Sequence, residues 1–67
     1  MTAATVNGAP WQGPHGATVA QVVDSWCPSP KGVAVAINGE VVPASRWSAT
    51  TVTDGDRVEI VTAAAGG

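Results

Sequence analysis

Side chains able to do covalent or acid–base chemistry are scarce in this 67-residue chain: one cysteine, Cys27, one histidine, His15, and five carboxylates. No nucleophile lies beside a base, and no glycine-rich loop carries a lysine to hold a phosphate. Nothing basic adjoins Cys27 in sequence, so the thiol reads as a small buried or half-buried side chain rather than a reactive thiolate. His15 sits in a polar loop and reads as a solvent-exposed imidazole. Asp54 and Asp56 flank Gly55, where aspartates commonly hydrogen-bond the backbone of their own turn. One cysteine and one histidine also fall short of the ligands a structural zinc needs, and an internal disulfide is impossible.

The other group with chemical potential is the carboxylate of Gly67. The sequence closes on Ala63, Ala64, Ala65, Gly66 and Gly67 directly after a strand-like segment. Five extended residues reach on the order of 15 Å. Glycine has no Cβ, so Gly66 and Gly67, following Ala65, can thread a narrow channel in a partner and adopt backbone angles closed to other residues. The bland alternative is a frayed end, since termini are commonly disordered. A last strand that projects the tail from a sheet favours the functional reading.

The elements needed to position such a tail can be read from the pattern. Residues 2–7 form a first strand, and Asn7-Gly8 is a favoured two-residue hairpin turn. Residues 9–12 return as a second strand, with Pro10 pointing to an edge position. Thr18 is suited to cap a helix by accepting a hydrogen bond from the amide of residue 20 or 21. Val19, Val22, Val23 and Trp26 give that helix one apolar face; Pro28 and Pro30 end it. Residues 32–38 are almost continuously apolar, which predicts a strand buried on both faces and central in the sheet. Asn38-Gly39 repeats the turn signal, Glu40, Val41 and Val42 form a short strand, and Pro43 closes it. Residues 44–50 form a turn or a single 3₁₀ turn. Asp54-Gly55-Asp56 turns the chain into a last strand, Arg57 to Thr62.

One helix and four or five strands can bury their apolar faces in so short a chain only by laying the helix across one face of a mixed sheet. The class is α+β, in a β-grasp arrangement. First and last strands lie side by side and parallel, joined through the crossover that the helix supplies. Residues 1–62 make the domain and 63–67 the flexible tail.

Composition narrows the partners. Three basic residues against five acidic ones, a formal net charge of −2, leave no stripe to neutralise a phosphate backbone. Nucleic acid is not expected. No apolar run approaches the roughly 20 residues that span a bilayer, and no signal-peptide pattern opens the chain, so a cytoplasmic monomer is expected.

The stretches Thr5-Val6-Asn7-Gly8, Gly16-Ala17-Thr18-Val19, Val35 through Pro43, Trp47, Asp54 through Val61 and Gly66-Gly67, in that order, resemble the ThiS family of thiamin-pathway sulfur carriers. The resemblance runs along nearly the whole chain. It implies a β-grasp, ubiquitin-like fold and a cycle at Gly67. An ATP-dependent, ThiF-like adenylating enzyme makes the acyl adenylate, and sulfur from a donor such as a cysteine desulfurase replaces AMP. The thiocarboxylate then supplies a ThiG-like thiazole synthase. ATP and magnesium belong to the adenylating partner, and the carrier itself is not an enzyme. Two positions depart from the family pattern: Ala44 stands where a basic residue often follows the proline, and Trp11 replaces a more polar position.

A carrier must dock through its folded face. Trp47 and Val42 are the expected exposed apolar contacts, with Arg46 and Arg57 available to acidic partner groups. Other readings of the same tail are a carrier for molybdopterin or another specialised pathway, a ubiquitin-like modifier joined to lysines, and an interaction module with an inert tail.

Overall fold

A computed structural model of the chain describes residues 1–26 and 32–62. Cys27, Pro28, Pro30 and the tail residues Ala65, Gly66 and Gly67 lie outside the described residues. The strands are β1 (Thr2–Val6), β2 (Ala9–Gly13), β3 (Val33–Ile37), β4 (Glu40–Val42) and β5 (Arg57–Thr62), with one helix, α1 (Val19–Trp26), and a 3₁₀ helix over Ala44–Ala49. They make one five-stranded sheet in the order β2-β1-β5-β3-β4. β1 and β5 are parallel, Val6 beside Val58, and the other pairings are antiparallel. The expected β-grasp topology is present, with the last strand at its centre.

Both hairpins follow from their turn dipeptides. Asn7 and Gly8 have φ of 52° and 84°, Asn38 and Gly39 of 51° and 86°, the left-handed pair that matches strand twist in two-residue loops. Pro10 falls on β2 at the sheet rim, where its missing N–H costs no ladder bond.

Helix α1 begins on a reciprocal cap. The Thr18 hydroxyl accepts from the Gln21 N–H at 3.3 Å while Gln21 Oε1 accepts from the Thr18 N–H at 2.9 Å. This capping box satisfies two helix-end donors at once. The Thr-x-x-Gln spacing carried that information; only the hydroxyl half is apparent from Thr18 alone.

The core lies between α1 and one sheet face, and is built almost wholly from valine: Val6, Val19, Val22, Val23, Val35, Val52 and Val58, with Ala4 and Ile60. Two expectations need correction here. Trp26 does not complete the helix's apolar face but is 43% exposed. Nor is β3 buried on both faces: Val35 is buried, while Ala34 on the opposite face is exposed and Ala36 half-buried. Because small side chains occupy that outer face, leaving it open costs little apolar exposure. The strand alternates in size rather than in polarity.

Trp11 closes the core's rim. Its ring packs against the core cluster and its Nε1–H donates to Ser25 Oγ at 3.2 Å, joining β2 to the end of α1. A Cβ at Gly13 would overlap the six-membered ring of that indole. Gly13→Ala is therefore expected to displace Trp11 at a cost of about 1–3 kcal/mol, seen as a lower Tm and an altered tryptophan emission.

Candidate functional site

Strand β5 ends at Thr62, where the expected tail begins. Val58 and Ile60 point into the core, so Arg57, Glu59 and Val61 alternate onto the outer face. There Val61 joins Ala34, Ala36, Val41 and Glu59 around a shallow depression of about 250 Å³. Val41 is 73% and Val61 64% exposed, so one residue short of the strand's end the sheet presents open apolar surface.

The expected contact residues are distributed differently from the sequence reading. Trp47 and Val42 are half-buried rather than exposed: Trp47 packs on the core cluster from the 3₁₀ helix, and its Nε1–H donates to the Val42 carbonyl at 2.9 Å. The exposed apolar character sits one position away, at Val41, because Val42 shares the face of its cross-strand partner Val35. Arg46 is exposed on the same 3₁₀ helix, and Arg57 is exposed on the outer sheet face beside Thr5. The four candidates thus fall in two groups: Trp47, Val42 and Arg46 together, and Arg57 apart from them with Val61.

Among the described residues, the two turn aspartates play structural parts. Asp54 Oδ1 accepts from the Ala3 N–H at 2.8 Å, and Asp56 accepts from the Thr53 N–H at 2.9 Å and from Asn38 Nδ2 at 3.1 Å. His15 is exposed and borders an open depression with Thr2, Thr51, Thr53 and Asp54. Among the described residues, no three His, Cys, Asp or Glu side chains gather in an arrangement that could hold a metal ion, and no helix is long and apolar enough to cross a membrane.

The residues that the sequence pattern did not single out are the two turn asparagines. Asn38 Oδ1 accepts from the Arg57 N–H at 2.9 Å, and its own N–H donates to the Arg57 carbonyl at 2.8 Å. Asn7 Oδ1 accepts from the Ile60 N–H at 2.8 Å while Nδ2 donates to the Ile60 carbonyl at 3.1 Å. Each turn therefore pins β5 as well as reversing the chain. Asn-Gly announces a turn by its backbone angles alone; the long-range amide bonds have no local signature.

Known proteins bear on this geometry. The family model described as the ThiS family matches residues 4–67. The crystal structure of the thiamine biosynthesis protein ThiS from Geobacter metallireducens is 35% identical, with a TM-score of 0.81 over 98% of this chain and 100% of that one. An NMR solution structure of a thiamine biosynthesis protein from the same organism is also 35% identical, with a TM-score of 0.78 over 98% of this chain and 88% of that one. Among curated proteins there is no match. The family match runs from β1 through the helix and the rest of the sheet to the terminal diglycine, and the neighbour's fold matches over nearly the whole chain; this chain belongs to the ThiS family.

Proposed function

We propose that this protein carries sulfur for thiazole formation in thiamin biosynthesis, with the carboxylate of Gly67 as the group that is activated and loaded. Family membership over residues 4–67 is the observation that carries the reading. The position of β5 supports it: a strand held between two neighbours at the centre of the sheet ends at Thr62, five residues before Gly67.

The chemistry suits a protein with few reactive side chains. A carboxylate is a poor electrophile. In the first step its oxygen attacks the α-phosphorus of ATP, the bond to the bridging oxygen breaks, and pyrophosphate leaves; the adenylating partner provides magnesium and the phosphate contacts. In the second, hydrosulfide, freed when a thiol reductant cleaves the S–S bond of the donor's persulfide, adds to the acyl carbon and AMP leaves with its electron pair. The resulting thiocarboxylate is ionised near neutral pH, nucleophilic, and tethered, so sulfide does not diffuse away before thiazole synthase consumes it.

Docking is assigned to the outer sheet face, where Val41 and Val61 share a depression near the end of β5 and Arg57 lies on the same face at the strand's beginning, with Trp47, Val42 and Arg46 as a second contact group. Val61→Asp is expected to raise the KM for the carrier in adenylation by about tenfold to a hundredfold. Its Tm should stay within a few degrees of wild type, since Val61 is 64% exposed. An unchanged KM would remove this face from the docking surface.

The function is tested by intact-mass spectrometry after incubation with ATP, the adenylating enzyme and a sulfur source. A gain of roughly 16 Da, oxygen replaced by sulfur, is expected at the acyl group. A lysine conjugate in place of the thiocarboxylate would assign the tail to protein modification instead.

A further inference from the structure

β5 is gripped unequally on its two sides. Towards β3 it is paired over five of its six residues, from Ile37 beside Val58 to Val33 beside Thr62. Towards β1 the register holds only at Thr5 with Arg57 and Val6 with Val58, because the chain turns away at Asn7-Gly8. The backbone groups of alternate residues point to that side: Asp56 and Val58 each accept there, from Thr5 N–H at 3.0 Å and Asn7 N–H at 2.9 Å. Ile60 comes next, and no β1 residue remains to meet it. The Asn7 carboxamide takes that place, accepting from the Ile60 N–H and donating to its carbonyl as a strand residue would. Among the described residues it is the last partner of β5 on this side, two residues before the strand ends at Thr62.

Resting on the sulfur-carrier reading, we propose that Asn7 is a positioning residue for the reactions of Gly67: its carboxamide fixes the direction in which the chain leaves the sheet. Without it, the last turn of β5 is held on one edge only, and the strand end can twist about the β3 ladder. Freedom at Ile60 then adds to that of the seven residues beyond it, a span on the order of 20 Å when extended. The acyl group would then sample many orientations while the folded body stays docked.

The second turn supplies the control. Asn38 pins Arg57, at the opposite end of β5, through the same kind of carboxamide and the same left-handed backbone. Asn7→Gly and Asn38→Gly both keep the turn, since glycine accepts positive φ, and both remove side-chain bonds to β5. A residue that matters only for folding lowers the fraction of competent carrier, which raises apparent KM and leaves kcat alone. A residue that aims the tail lowers kcat with KM held.

Steady-state adenylation of each carrier, followed by pyrophosphate release, separates these cases. Asn7→Gly is expected to lower kcat about tenfold to a hundredfold with little change in KM, the scale of a misplaced reacting group. Asn38→Gly should keep the wild-type kcat. Should Asn7→Gly fail to fold by circular dichroism, Asn7→Asp replaces it; the carboxylate still accepts from Ile60 N–H but cannot donate to its carbonyl, and a drop in kcat is again expected. A wild-type kcat in the folded Asn7 variant, or equal losses in both asparagine variants, overturns the inference while the carrier function stands. Failure of the wild-type protein to be adenylated at all overturns the function and the inference together.

Discussion

Removing Gly66 and Gly67 is expected to abolish sulfur loading entirely while leaving Tm unchanged. The body's stability resides in the valine core and the five-stranded ladder, which end at Thr62. The core and ladder residues named above all precede Ala63. The chemistry, by contrast, would lose both its reach and its steric access. Truncation leaves the carboxylate on Ala65, shorter by about 7 Å of extended chain and flanked by a methyl group on the residue to be activated. Because acyl activation tolerates misplacement of only about an ångström before losing roughly a hundredfold in rate, such a shortening amounts to complete loss. Intact-mass measurement of the truncated protein under loading conditions checks this, with a thermal melt as the control. A truncated carrier that still gains the mass of sulfur would show that Gly67 is not the site.

Val58→Asp is expected to produce the opposite outcome, a chain that cannot fold. Val58 has no solvent exposure and sits on the central strand, between β1 and β3 and beneath α1. A domain of this length has on the order of 3–10 kcal/mol of stability in total. An unpaired carboxylate in such a site costs several kcal/mol, and the lost valine packing adds to it. The two together match or exceed what is available. Loss of far-UV circular dichroism and collapse of amide dispersion in the NMR spectrum are the expected readouts; a cooperative melt near that of wild type would refute the assignment of Val58 to the core.

Local rules accounted for most of the architecture. Two Asn-Gly turns, a threonine cap, Pro10 at a rim and an Asp-Gly-Asp turn each express a backbone preference that acts within four residues, so each can be read directly from the string. The β1·β5 pairing is non-local, yet it follows because one helix in a short chain leaves few ways to cover a sheet. What the pattern obscured were choices settled by tertiary competition. The run from Gly32 to Asn38 looked apolar enough for two covered faces, but a single eight-residue helix covers only one. Trp26 kept the helical spacing of its valines and still lies largely outside, while Trp11 and Trp47 supply the aromatic packing from the sheet rim and the 3₁₀ helix. The exposed valine of β4 was misplaced by one residue, at Val42 instead of Val41, since a short strand gives no internal sign of which face it turns inward. The proposal for Gly67 rests on chemistry alone, a diglycine carboxylate in a chain with few other reactive groups.

The two outer strands bear on how the molecule behaves in company. β2 carries a proline opposite Thr5, and β4 is three residues long and stops at Pro43. An imino acid on one margin and an abrupt halt on the other deny a neighbouring copy any lengthy template for stacking. A sheet that shows bare valine on one side is thereby guarded against polymerising edge to edge into fibres.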